Sequence, residues 1–239
     1  MTHEEQSKSG APVWRHNELA EPVAGEQTGA WEAIEEHVER HIGPIDGVFH
    51  ELVSPYVHLD VLKVPAREER PWHTLVTCGM SARPMSVPDP EVPRFAELVI
   101  SLPPFWPLDE EAWRDERHYW PVRLLKTLGR LPHEYDTWLG IGHTIPNGDP
   151  PEAYARGTKL CGALIAPPLQ WPDGAEVLET DGGPLHFYGV IALHADEMQL
   201  KLDKGVEALY DPFDEAGISE IVIADRPSVL GRRKRFGLF

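Results

Sequence analysis

Apolar residues recur at helical spacing in one segment near the start of the chain. Trp31, Ile34, Val38 and Ile42 stand at positions i, i+3, i+7 and i+11. This spacing places the four side chains on one face, the pattern of a surface helix that packs on a core. The pair at 43–44, Gly–Pro, predicts that the helix ends there, because glycine caps helices and proline cannot continue them.

Segments with strand patterns follow this helix. Residues 57–64 alternate between apolar and polar side chains, which is typical of a half-buried strand. Residues 72–80 and 95–103 are similar and are bounded by Pro, Arg or Gly. Between them, residues 81–94 contain four prolines, so this segment is predicted to be a surface loop. Further strands are predicted at residues 159–166, 175–179, 185–193 and 218–224.

Two more helices complete the predicted elements. Pro121 suits the first position of a long helix, where its missing N–H is not needed, and Pro132 is predicted to end it. A final helix is predicted at about 195–211, where apolar residues return at helical spacing. Strands and helices neither alternate strictly nor segregate. The predicted class is therefore α+β, with a mixed or antiparallel sheet packed by several helices in a single domain.

Composition sets the predicted domain limits. Residues 1–28 are polar and rich in Gly, Pro and Glu, which predicts a disordered or loosely docked leader without the features of a signal peptide. Residues 29–225 hold no linker-like break and are predicted to form the domain. Residues 226–239 form a basic tail that contains Arg232–Arg235. No apolar run approaches the roughly 20 residues of a membrane span.

The net charge of the chain indicates which classes of partner to expect. The chain has 22 Lys and Arg against 39 Asp and Glu, a formal net charge of −17. Such a field repels nucleic acid and anionic membranes, so neither is an expected partner, and it speeds encounter with a basic protein. The alternative is that the acidity only keeps the protein soluble. Cys78 and Cys161 form no disulfide framework and are predicted to be buried thiols, which makes the cytoplasm the expected compartment.

A polar–aromatic run begins where the long helix ends and continues to Gly148. The segment Gly140–Gly142 lacks the third glycine of a dinucleotide loop, so it predicts no phosphate site. Asp136 follows Glu134 at i+2, so the two carboxylates face apart, and Asp136 is suited to capping a turn. No nucleophile stands beside a base. We therefore expect no catalytic residues and no cofactor.

Two histidines of the first predicted helix have the spacing of metal ligands. His37 and His41 have the i, i+4 spacing of a zinc half-site, but the motif HVERH places its glutamate one residue away from the position of a general base. Because glutamates surround the pair, we predict that both histidines lie on a solvated polar face. No metal site is expected.

The segment GHTIPNG, residues 142–148, admits two interpretations. If it is a surface, Asp136, Trp138, His143 and Asn147 are the candidate contacts for a protein partner. If it is an internal corner, Trp138 belongs to the core, and Gly140, Gly142 and Gly148 adopt backbone conformations that bulkier residues disfavour. The density of glycine and proline favours the corner.

Five ordered blocks of sequence identify a family. They are HTLVTCGMSARPM at 73–85, AELVISLPPFWPL at 96–108, YWPVRLLKTLGRLPHEYDTWLGIGHTIPNG at 119–148, TKLCGALIAPP at 158–168 and FYGVIALHADEMQLKLDKGVEAL at 187–209. Together they resemble the Suppressor of Fused family, in particular its bacterial single-domain members. The resemblance spans about 57–210 and implies an α+β fold and a non-enzymatic, protein-binding role.

The resemblance also suggests a partner. Eukaryotic members use a second domain together with the first to clamp a transcription-factor peptide, and the 239 residues of this chain are not expected to include that second domain. Bacterial relatives are often assigned as immunity proteins that neutralise toxins of polymorphic systems, and the net charge of −17 agrees with a basic toxin domain. Pairing of a peptide with an exposed sheet edge is another mode of binding.

The sequence also allows two other functions. One is a metal-dependent or hydrolytic enzyme that uses Asp136, His143 and their neighbours. The other is a regulatory scaffold whose Arg232–Arg235 cluster contacts an acidic surface.

Overall fold

A mixed eight-stranded sheet lies at the centre of the computed structural model, which describes residues 2–22, 30–50 and 56–231. The strands β1 and β2 form a separate antiparallel pair, and the other strands form the large sheet in the order β3-β4-β5-β6-β10-β8-β7, with β9 against β10. In chain order the strands are β1 (Thr2–Gln6), β2 (Pro12–His16), β3 (Gly47–Phe49), β4 (Asp60–Val64), β5 (His73–Cys78), β6 (Phe95–Leu102), β7 (Thr144–Pro146), β8 (Gly162–Ala166), β9 (Val177–Thr180) and β10 (Gly183–Leu193).

Strand direction makes the sheet mixed. β6 and β10 run parallel, with Leu98 opposite Tyr188. The other neighbouring strands of the large sheet pair antiparallel. The predicted α+β class with a mixed sheet is therefore confirmed.

Helices cover both faces of this sheet. Alternate residues of β10 point to opposite sides, as in any strand. Tyr188 and Val190 pack in the core on the side of α2, whereas Phe187 packs against α1 and Ile191 packs against α3 and α4. Thus α2 lies on one side, and α1, α3 and α4 lie on the other. The helices are α1 (Trp31–His41), α2 (Glu116–Glu134), α3 (Ala195–Lys204) and α4 (Glu207–Ala216).

The predicted stripe of the first helix packs as expected. Ile34, Val38 and Ile42 are at most 2% exposed and contact Leu62 and Val76 of the sheet. Both cysteines are free and buried, which confirms the prediction of buried thiols.

The long helix differs from its prediction at both ends. It begins at Glu116, where the Asp115 side chain accepts the backbone N–H of Arg117 at 2.9 Å, so Pro121 lies inside the helix. Pro132 is also inside, and the helix ends at Glu134. Each proline removes only one hydrogen bond, and both rings are buried, so packing outweighs the local cost.

The last part of the chain also departs from the prediction. The final helix is two helices, because Gly205 with φ 94° ends α3 before α4 begins. Residues 218–224 do not form a strand: a single bridge joins Ile221 to Ser101. The described chain continues past residue 225 to a short 3₁₀ turn, Val229–Gly231, and the predicted domain limit at 225 stays a prediction. The cluster Arg232–Arg235 lies outside the described residues.

Residues 2–22 of the predicted leader contain the strands β1 and β2. The strands β1 and β2 pair in antiparallel register from Thr2 opposite His16 to Gln6 opposite Pro12. The sequence gives little sign of this, because the pair buries few apolar side chains of its own. Contacts with distant parts of the chain hold it instead.

Candidate functional site

The polar–aromatic run is covered by the N-terminal hairpin β1–β2. The Trp14 ring from β2 lies 4.7 Å from the Trp138 ring, edge to face, and 5.7 Å from the His143 ring. Trp138 and His143 themselves are 5.5 Å apart. The three rings form one cluster, so the hairpin buries part of the segment that the sequence marks as a site.

A ring stack and an ion pair hold the hairpin on the two sides of this cluster. The His16 ring stacks on the Tyr135 ring at 5.3 Å. Arg15 donates from Nη1 to the Asp149 carboxylate at 2.7 Å. The hairpin therefore spans the run from its beginning to its end.

The two polar candidate residues have other partners. Asp136 has a positive φ of 48° and accepts a hydrogen bond from the Ser86 hydroxyl rather than capping a turn through backbone N–H groups. Asn147 donates from Nδ2 to the Glu152 carbonyl at 2.7 Å. The structure thus brings Trp138 and His143 together and holds Asp136 and Asn147 elsewhere in the run.

Backbone geometry explains the glycines of the segment. Gly142 and Gly148 have φ values of 87° and 92°, which residues with a side chain disfavour. Gly140 does not have a positive φ. The Gly142 N–H donates to the Ile165 carbonyl at 2.8 Å, so the segment turns into the edge of the sheet beside β8. Its contribution to partner binding stays a prediction.

His143 is held neutral by its surroundings. Burial among the rings lowers its pKa to about 4, and the charge of Lys201 acts in the same direction. No hydrogen bond among the described residues joins His143 to Asp136, so these two groups do not form an acid–base pair.

The substitution Trp14→Ala is expected to raise the pKa of His143 towards 6.5, because it removes a ring that shields the imidazole from water. Without the substitution, the unfolded chain binds a proton at His143 below about pH 6.5, whereas the folded chain binds it only below about pH 4. The contribution of His143 to the free energy of unfolding therefore falls as pH drops from about 6.5 to 4. An NMR titration of the His143 ring measures the pKa directly.

The variant Leu19→Ala serves as the control, since Leu19 is 62% exposed in the same N-terminal segment. It should leave the His143 titration unchanged. An unchanged pKa in Trp14→Ala as well would contradict the shielding role of the hairpin.

The described part of the chain contains no set of side chains suited to bind a metal ion. No group of three or more His, Cys, Asp or Glu side chains there is placed to hold a metal ion.

The prediction that His37 lies on a solvated face is wrong. His37 is 4% exposed, its Nε2 bonds the Ala175 carbonyl at 2.8 Å, and its ring stacks on Phe187. It is a core histidine, because α1 packs on the sheet along this edge.

A fully buried carboxylate, Glu97, was missed in the sequence. It accepts hydrogen bonds from the Thr77 hydroxyl at 2.5 Å, the Gly79 N–H at 2.9 Å and both the N–H and hydroxyl of Ser81. Burial raises its pKa, although the bonds from Ser81 and Thr77 act to lower it. The signal was a lone glutamate inside the apolar strand FAELVISL. The carboxylate joins β6 to the turn that follows β5.

A buried ion pair closes the C-terminal end of the fold. Arg226 donates from both terminal nitrogens to the Glu197 carboxylate, each at 2.6 Å, and to the Ala192 carbonyl at 2.7 Å. Glu197 also accepts the backbone N–H of His194 at the start of α3. The pair attaches the last described segment to α3.

The outer surfaces of α1 and α4 are strongly acidic. Both helices lie on the same side of the sheet, and their exposed positions carry eight carboxylates. No ion pair within the described chain involves any of them. We call these two helix surfaces, which lie on the same side of the sheet, the acidic face; its members are Glu32, Glu35, Glu36, Glu39, Glu207, Asp211, Asp214 and Glu215.

Solved structures share this fold. A SUFU homolog from Neisseria gonorrhoeae aligns with a TM-score of 0.61 at 17% identity, covering 83% of this chain and 96% of that one. A chain of the Sufu–Fu complex gives 0.60 at 16% identity, with 86% and 94% covered. Drosophila Suppressor of Fused gives 0.58 at 15% identity; 89% of this chain is covered and 53% of that protein. At these identities the likeness concerns the fold.

These features define an α+β domain whose mixed sheet is covered by helices on both faces. The family model of Suppressor of fused protein (SUFU) matches residues 55–227, most of the chain. The protein therefore belongs to the Suppressor of Fused family, as the sequence blocks predict. The N-terminal hairpin lies outside the matched range. A sequence search of curated proteins finds no match. None of the described helices is long and apolar enough to cross a membrane.

Proposed function

We propose that this protein is a non-enzymatic binding protein that takes a basic protein partner on its acidic face. The partner that we propose is a toxin domain, which the protein neutralises as an immunity protein in the cytoplasm. The observation that carries the proposal is the concentration of eight exposed carboxylates on α1 and α4, without a paired cation among the described residues.

Electrostatics gives this surface a physical role. A field of one sign raises the rate at which an oppositely charged protein meets the surface by roughly 10- to 1,000-fold. Like-charged partners are rejected by the same field, so the acidic face also provides selectivity. Family membership supports a binding role, since one structural relative is a complex of Sufu with Fu.

Charge reversal on the acidic face is expected to slow association with the toxin. In Glu32→Lys/Glu36→Lys, the association rate constant with the proposed basic toxin domain should fall by about tenfold or more. Both side chains are exposed, so the fold should be retained. The rate constant is measured by stopped-flow fluorescence at low salt, where screening is weak.

The matched control is Glu110→Lys/Glu111→Lys, in the exposed segment that leads into α2. It makes the same change in net charge and should slow association by less than about threefold. Equal effects of the two double variants would count against the acidic face as the docking surface. Growth of cells that express the toxin domain tests neutralisation, and lack of protection by the native protein would reject the immunity role.

A further inference from the structure

A cleft of about 390 Å³ opens on the α2 side of the sheet, away from the acidic face. It is formed by residues 105–107 after β6, the first turns of α2, the turn at 155–158 and Ala224. Its volume lies within the range of about 300–1,000 Å³ that is usual for small-ligand sites.

The floor of the cleft is aromatic and already ordered. Trp106 donates from Nε1 to the His118 carbonyl at 3.0 Å and packs edge to face on Trp120 at 6.2 Å. Trp120 in turn stacks on Tyr154 at 4.9 Å, with the rings nearly parallel. Trp120 and Tyr154 are buried and hold the Trp106 ring in place, so a ligand that contacts Trp106 meets a ring that needs no further ordering, which lowers the entropic cost of binding.

An exposed aromatic ring stands at the rim. Phe105 is 82% exposed although it is flanked by Pro104 and the buried Trp106. An apolar ring in water contributes little to folding. Beside a preformed aromatic floor, it can cover one face of a ligand ring.

The charge of the cleft is opposite to that of the molecule. Its lining includes Arg117 and Arg156 and no carboxylate, in a chain with a net charge of −17. Asp115, outside the lining, fixes Arg117 by accepting from its Nε at 2.8 Å. Arg156 is exposed and has no ion pair within the described chain. The Nδ1 atom of His118 is buried there and has no hydrogen-bond partner among the described residues.

We propose that this cleft binds an aromatic carboxylate, with the ring on Trp106 and Phe105 and the carboxylate on Arg156. Guanidinium groups bind carboxylates with two parallel hydrogen bonds, so the free Arg156 side chain supplies both charge and orientation. The ligand is either a free aromatic acid or the C-terminal residue of a peptide, because both present the same chemistry. The site is independent of the proposed toxin-binding face.

Calorimetric titration of the full chain tests this site with two matched pairs of probes. The first pair is 3-phenylpropionate and 3-phenylpropionamide; the second is acetyl-Gly-Gly-Phe with a free and with an amidated C-terminus. Each carboxylate should bind saturably and at least about tenfold more tightly than its amide. The tighter of the two carboxylates identifies the source: a free acid or a chain terminus.

The variants Arg156→Glu and Phe105→Ala should each weaken binding by about tenfold or more, and both residues are exposed enough for the fold to be retained. Arg40→Glu, an equal charge change on α1, is the control and should bind as the native protein does. The proposal is overturned if neither carboxylate binds at about 10 mM, if the amides bind equally well, or if Arg156→Glu matches Arg40→Glu.

Discussion

Arg226→Ala is expected to lower the free energy of unfolding by about 3–5 kcal/mol. The Glu197 side chain is 0% exposed and the Arg226 side chain is 6% exposed. Removing the guanidinium leaves a buried carboxylate without its counter-charge and the Ala192 carbonyl without its donor. Unfolding in guanidinium chloride, followed by circular dichroism at pH 7, gives the measurement.

The pH dependence should change sign in this variant. Burial acts to raise the pKa of Glu197, but the hydrogen bonds and charge of Arg226 outweigh it and hold the pKa below 4.5. In the native protein this group therefore stabilises the fold above about 4.5, and the contribution is lost as pH falls through the lowered pKa. Without Arg226, burial dominates and raises the pKa, so the contribution of Glu197 becomes less favourable as pH rises from about 4.5.

Two comparisons separate charge from packing. The double variant Glu197→Gln/Arg226→Met removes both charges and should recover much of the lost stability, because no uncompensated ion remains. Arg15→Ala breaks the ion pair with Asp149, whose side chain is 76% exposed, and should change the unfolding free energy little. An equally small loss in Arg226→Ala would show that the buried pair does not anchor the C-terminal segment.

Gly79→Ala is expected to destabilise the protein by roughly 3 kcal/mol or more. Gly79 has φ 122°, and a Cβ atom there would lie 2.1 Å from the His58 carbonyl oxygen. Backbone cannot move aside as a flexible side chain does. Any shift that relieves the clash also displaces the Gly79 N–H from the Glu97 carboxylate, so the buried hydrogen-bond network is disturbed as well.

Gly217→Ala is the control for backbone conformation alone. Gly217 has φ 64°, and nothing lies within 4 Å of a Cβ atom added there. Its substitution should cost about 1–2 kcal/mol, the usual penalty of the left-handed region. Both variants are compared by chemical denaturation. Equal losses would mean that the approach of His58 to Gly79 has no energetic weight.

Local periodicity explains which elements the sequence could predict. Regular spacing of apolar residues located α1 and the strands β4, β5, β6, β8 and β10 within a few residues. The short strands β3 and β7 have three residues each, too few to show a period. The sequence predicts Pro121 and Pro132 as helix boundaries, but both lie inside the helix. Burial of the two rings offsets the local cost of proline in a helix, and this burial cannot be seen in the sequence.

Long-range contacts explain what the sequence could not predict about the site. Trp138 and His143 were recognised as candidates, but their cover by Trp14 depends on a partner from the opposite end of the chain. Arg15 and Asp149, which fasten that cover, are 134 residues apart. His37 was placed in solvent from its glutamate neighbours, whereas packing of α1 on the sheet buries it.

The sequence by itself determined the family, the α+β class and the acidic character of the protein, because each is carried by residue identity and local order. Tertiary structure alone decided that the N-terminal hairpin covers the polar–aromatic run, that Glu97 and Glu197 are buried, and that a cationic aromatic cleft opens beside α2. The physical reason is that burial and electrostatic environment arise from segments far apart in the chain, which become neighbours only when the sheet and its helices assemble.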